Sequence, residues 1–253
     1  MAPASKRDLA AEHDLEKIRS RLTRPRGVGP LGDFVLGGVD GVVTTFAVVA
    51  GSAGGQLSMV AVIILGLANL VADGFSMGIS NSLGTRSRQQ EVTRARTDEA
   101  WQLDADPEGE RREIREIFAR KGFGGAPLDH IVQVITSDRE VWVDTMMAEE
   151  LKLSEVSARP LRAGIVTFAA FTLCGLVPLT PFLLGGGNFE SMFRISLTLS
   201  AATFFALGIG KGTVLGLPPL RSGIQTLVIG SIAAGLAYAT GMQLRQMFGI
   251  AVS

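Results

Sequence analysis

Cysteine occurs once and histidine twice in 253 residues. A single Cys174 excludes a disulfide within the chain, and its place in an apolar run suits a small packing residue. His13 and His130 are too few for a histidine-based metal site. The paired Glu-x-x-His elements of a ferritin-type di-iron centre are missing. No Walker A sequence supports ATP-driven pumping by this chain, and no Ser/His/Asp signature appears, so the chain does not read as an enzyme. The 24 basic and 24 acidic residues cancel. That leaves no basic excess for a nucleic-acid partner.

What the chain does have is apolar length. Hydrophobic residues make up 47% of it. Five runs are each near or above the roughly 20 residues needed to cross a bilayer. They span about Asp33–Ala53, Leu57–Leu83, Leu161–Leu184, Met192–Gly212 and Gly223–Leu244. Charge is concentrated elsewhere: residues 86–159 hold 16 acids and 12 bases. The expected fold class is an all-α polytopic membrane protein, with five transmembrane helices and a helical cytosolic insertion between the second and third. Its segments are a lead-in at 1–30, helices one and two at 31–85, the insertion at 86–159 and helices three to five at 160–253.

Within this scheme the first two spans, joined by Ser-Ala-Gly-Gly, form an antiparallel hairpin. Pro178 and Pro181 predict a broken outer end to span three. In the lead-in, Ala4–Arg21 reads as a charged helix with Leu9 and Ile18 at loose apolar positions, broken by Pro25, Gly27, Gly29 and Pro30. No signal peptide precedes the first span. Seven Lys/Arg lie before span one, and the connectors after spans two and four carry Arg86, Arg88, Arg159, Arg162, Lys211 and Arg221. The positive-inside rule therefore places the N-terminus and the insertion in the cytoplasm and the C-terminus outside.

The punctuation of the insertion predicts three helices. Asp106-Pro107 caps and opens the first, which Gly122 stops. Pro127–Ile135 is the second. Ser137-x-x-Glu140 reads as a capping box for a third, running to about Leu153. Span two has no breaker after Gly84 and is expected to continue through Arg96.

Two acids stand alone in the spans. Asp40 is the one charge between Phe34 and Gln56, and Asp73 the one charge between Leu57 and Thr85. An ionised acid at the bilayer centre costs roughly 2.5–3.5 kcal/mol on insertion scales, so such residues usually line an ion or proton path. Asn69, Asp73 and Met77 follow at four-residue spacing and form one stripe on span two. Carboxylate oxygen beside thioether sulfur suits a borderline transition metal. Gly37, Gly38, Gly41, Gly74 and Gly78 let helices approach closely around the acids.

In the insertion, Glu110, Glu113 and Glu116 recur at three-residue spacing, and Met146 and Met147 share helix faces with Glu150. Carboxylates and thioethers together concentrate Fe²⁺ or Mn²⁺ without a tight cage. The blander alternatives are solvated glutamates paired with Arg111, Arg112 and Arg115, and methionines serving as core filler.

Several separated motifs agree on one family. The runs Leu36-Gly-Gly-Val-Asp40-Gly-Val-Val-Thr-Thr-Phe, Ser76-Met77-Gly78, Trp142-Val-Asp-Thr-Met146-Met147-Ala-Glu-Glu150-Leu and Pro178-Leu-Thr-Pro181 resemble the vacuolar iron transporter family. The resemblance covers nearly the whole chain from about residue 31. It implies a homodimeric Fe²⁺/Mn²⁺ transporter exchanging metal for protons, with divalent metal ions, protons and the lipid bilayer as partners. No cofactor is implied beyond the transported ion. The resemblance also implies a path at the dimer interface between the first two helices of each subunit. Its path residues match Asp40 and Met77. Its cytosolic metal ligands match Glu113, Glu116, Met146, Met147 and Glu150, with Glu99 and Glu91 as possible upstream counterparts. One departure stands out: a Glu of the better-known eukaryotic members falls at Asn69, and Asp73, one turn later, replaces its charge. Short loops without a readable sorting signal suit a bacterial plasma membrane. Two other readings remain open from sequence: a membrane-anchored metal sensor and an uncoupled divalent-metal channel. An anchor has no use for Asp40 and Asp73.

Overall fold

The computed structural model describes residues 13–22, 29–153 and 159–248. Among these residues every regular element is helical. In chain order they are α1 (Leu15–Leu22), α2 (Gly29–Gly54), α3 (Met59–Ala105), α4 (Pro107–Arg120), α5 (Gly125–Thr136) and α6 (Arg139–Glu149). Then come α7 (Pro160–Leu176), a 3₁₀ turn (Val177–Leu179), α8 (Thr180–Leu184), α9 (Phe189–Val214) and α10 (Pro219–Phe248). Of the lead-in helix expected from Ala4, only α1 falls among the described residues. The chain divides into two compact units. One gathers residues 29–84 and 159–248, the other 13–22 and 85–153, and α3 contributes to both.

Five segments of the first unit are long and apolar enough to cross a membrane: α2, the apolar part of α3, α7 through α8, α9 and α10. Lipid gives apolar side chains no reason to prefer a neighbouring helix, so association depends on close packing. Glycine supplies it here. A Cβ at Gly37 or Gly41 would overlap the backbone of Thr167 or Phe171, so α2 and α7 touch main chain to main chain. Gly54 and Gly241 bring α2 equally close to α10. Around these contacts Val42, Phe46, Val49, Leu70, Phe171 and Phe204 form the buried core.

Span three breaks where its prolines require. Pro181 carries no N–H, and the helix tightens to a 3₁₀ turn at Val177–Leu179 before resuming. The Ser196 hydroxyl of α9 donates to the Pro178 carbonyl at 2.7 Å, satisfying a group that lipid would leave bare.

In the second unit α3 runs beyond the expected Arg96, to Ala105, and stops just before Pro107. Asp106 caps α4, its carboxylate accepting from the Gly109 N–H at 2.9 Å. The third insertion helix differs from expectation at both ends. Its cap is Asp138, which accepts from the Glu140 and Val141 N–H groups. Ser137 instead donates back to the Val134 carbonyl and closes α5. A hydroxyl that finishes one helix is not available to start the next. The helix ends at Glu149 rather than Leu153. Leu103, Ile114, Leu128, Val132, Trp142, Val143, Met146 and Met147 form the core of this unit.

Candidate functional site: acids in the spans and a glutamate cluster

The first group lies on α2 and α3. Asp40 is half-buried among Gly37, Gly38 and Gly41, and Thr44 donates to its backbone carbonyl at 2.9 Å. The Asn69 amide, one turn earlier, donates to the Asp73 carboxylate. Asn69 Oδ1 is buried without a hydrogen-bond partner. Met77 is half-buried against the apolar core. Asp73 itself is exposed, as are Ser76 and Ser80 on the same face at i+3 and i+7.

The second group lies in the other unit and draws on three helices. Glu99 comes from α3, Glu110 and Glu113 from α4, and Glu150 from the residue that closes α6. Glu99 and Glu110 are only 3% and 5% exposed. Burial pushes the Glu99 carboxyl up to about 8, helped by a hydrogen bond to Glu110 and by the charges of Glu110, Glu150 and Glu113. The direct bond requires a shared proton. Burial also raises Glu110, with Glu113 and Glu150 adding to the effect. Glu150 is raised by desolvation and by Glu113. Glu99 Oε1 and Glu110 Oε2 are buried acceptors without a partner.

The arginines of α4 do not neutralise this cluster. Arg115 pairs with Asp129 at 2.7 Å. Arg111 reaches Glu108 at 3.5 Å and lies over the Trp142 ring. Arg112 is 3.8 Å from Asp106. Elsewhere in the unit Arg96 holds Glu140 and Asp144, and Lys121 holds Glu149. Among the described ion pairs, none includes Glu99, Glu110, Glu113 or Glu150.

The expected ligands therefore divide. Glu99, Glu113 and Glu150 are brought together. Met146 and Met147 are buried core residues of the same unit. Glu116 is not part of the cluster: it is exposed and bonds to Arg120 at 2.9 Å. Glu91 is exposed on α3, eight residues before Glu99. Glu110 was not chosen from sequence, although its signal is legible. It stands four residues before the core residue Ile114, as Glu99 stands four before the core residue Leu103, so both acids face inward. Among the described residues no three acids, histidines or cysteines form a ready-made metal cage. The donors are grouped but not preorganised.

Comparison with known proteins adds independent support for kinship. The VIT family model matches residues 31–242. A vacuolar iron transporter of Toxoplasma gondii is 35% identical over 85% of this chain and 74% of its own length. Vacuolar iron transporter 1 of Tulipa gesneriana is 32% identical over 82% of this chain and 84% of its own. Vacuolar iron transporter 1 of Arabidopsis thaliana is 30% identical over 81% and 82%. These names give no support to the bacterial cell membrane expected from the short loops. The match from the first span to the last, together with five membrane-length helices, shows that this chain is an integral membrane protein of the VIT family.

Proposed function

We propose that the protein is a secondary transporter that moves Fe²⁺ or Mn²⁺ out of the cytoplasm in exchange for protons. The observation that carries this reading is the pair Asp40 and Asp73, two lone acids in otherwise uncharged adjacent spans. Each is costly in lipid, and neither pairs with a basic residue among the described ion pairs. A divalent cation would neutralise both at once. Met77, one turn from Asp73, offers a sulfur donor that favours Fe²⁺ over Mg²⁺ or Ca²⁺. When metal leaves, protons would replace it on the carboxylates for the return step. The names of the relatives support iron as a substrate.

The glutamate cluster would gather metal from the cytosol. Glu99 and Glu110 hold a proton between them, and an arriving cation displaces it. The open arrangement favours exchange over storage, since passage needs binding weak enough to release.

The working unit is a homodimer. Asp73, Ser76 and Ser80 are exposed on a membrane-crossing stretch, where lipid cannot hydrate them. A second copy laid against this face would cover them and set two paths' worth of acids opposite each other.

Purified protein in liposomes tests the reading. Fe²⁺ or Mn²⁺ uptake is expected, accelerated by a pH gradient of the appropriate sign. Uptake indifferent to the gradient would make the protein a channel. Metal binding without uptake would leave only the anchored sensor.

A further inference from the structure

A second polar group stands on the same two spans. Asp33 precedes Asp40 by seven residues on α2, about 10 Å along the helix. Asn81 follows Met77 by four residues on α3. Each extends the stripe of its own helix, and the antiparallel hairpin brings the two extensions together. Asn81 Nδ2 donates to Asp33 Oδ1 at 2.8 Å and to Thr167 Oγ1 at 2.7 Å. Thr167, fully buried on α7, donates its own hydroxyl to the Asp33 backbone carbonyl at 3.4 Å. The backbone contact at Gly37 against Thr167 fixes the spacing of α2 and α7 beside this group.

The hydrogen bonds determine which atoms remain. Both amide protons of Asn81 are committed, so its Oδ1 is left as an acceptor. Asp33 Oδ1 is also committed, and Oδ2 is left. No Lys or Arg pairs with Asp33 among the described ion pairs. A clasp between three helices needs only a neutral acceptor at this position. The negative charge is extra to that role.

We propose that Asp33 and Asn81 form a second station for the transported cation, with Asp33 Oδ2 and Asn81 Oδ1 as ligands and Thr167 as a positioning residue. The station lies at the end of the apolar spans where α3 continues toward residue 85, two turns from Asp40. Its donors are all oxygen. It therefore concentrates divalent cations without selecting among them, and selection falls to Met77 at the inner station. This proposal rests on the transport reading above.

Asp33→Asn separates station from clasp. Asparagine keeps an acceptor for Asn81 Nδ2 and so preserves the three-helix contact, but it removes the charge. In liposomes the variant is expected to raise KM about tenfold for both Mn²⁺ and Fe²⁺, with a much smaller change in kcat. Asp33→Glu, which restores the charge, is expected to recover most of the affinity. Asn81→Ser, which loses the clasp but leaves the acid, gives a second measure and is expected to raise KM by a smaller factor. An active wild type alongside an Asp33→Asn variant of unchanged KM overturns the station and leaves the transport reading standing. A wild type that moves neither ion overturns both.

Discussion

Single side chains carry the sharpest consequences. Asp40→Asn removes a charge and a proton site while keeping size and hydrogen-bonding shape. Metal uptake in liposomes should fall at least about tenfold with helix content unchanged, because an amide cannot neutralise a divalent cation. The glutamates separate by burial. Glu110→Gln, at a buried position beside Glu99, should raise the metal concentration needed for half-maximal transport. Glu116→Gln should leave it unchanged, because that side chain is exposed and pairs with Arg120. Equal effects from the two would remove the cluster from the mechanism. The raised Glu99 carboxyl also fixes a sign for pH dependence. Its folded value of about 8 lies above the ordinary 4.5, so the folded state holds the proton more tightly than the unfolded one. The stability contribution is full below about 4.5 and is lost as pH rises toward 8. Both tryptophans, Trp101 and Trp142, lie in this unit. Thermal unfolding followed by tryptophan fluorescence should therefore show a falling midpoint from pH 5 to 8 without metal, and Mn²⁺ should oppose the fall.

At the level of elements, helix ends and helix contacts follow local chemistry that can be tested separately. Asp138 caps α6 through two backbone N–H groups, whereas Ser137 closes α5. Asp138→Ala should cost about 1 kcal/mol of stability, measured by chemical denaturation, and Ser137→Ala clearly less. The α2–α7 contact depends on the absence of a side chain. Gly41→Leu would force the branched group into the Phe171 backbone, and the two spans must separate. Its expected result is loss of folded protein in detergent, since interior close packing in a membrane has no hydrophobic reserve to draw on.

For the whole molecule, the polar face of α3 sets the test of assembly. A homodimer meeting on Asp73, Ser76 and Ser80 places equivalent residues near a two-fold axis. In a Cys174→Ala background, Ser76→Cys should form a disulfide-linked dimer under mild oxidation in membranes, and a cysteine at exposed Leu161 on α7 should not. Absence of the Ser76→Cys product would remove the proposed interface.

Composition and spacing determined the class of protein. Five long apolar runs in a chain of segregated charge can satisfy their backbone in lipid only as helices, and the two lone acids within them stand out as a cost in lipid. The proline break in span three and the Asp106-Pro107 start of α4 were equally local and equally legible. Which glutamates gather was not. Glu110 and Glu116 both occupy the three-residue series, yet one turns into the core beside Ile114 and the other meets Arg120 in solvent. That choice depends on how α3, α4 and α6 pack, because burial comes from neighbouring helices and not from spacing along one. The same holds for Asp33, Asn81 and Thr167, which lie 48 and 86 residues apart along the chain and meet because glycine lets three helix backbones touch.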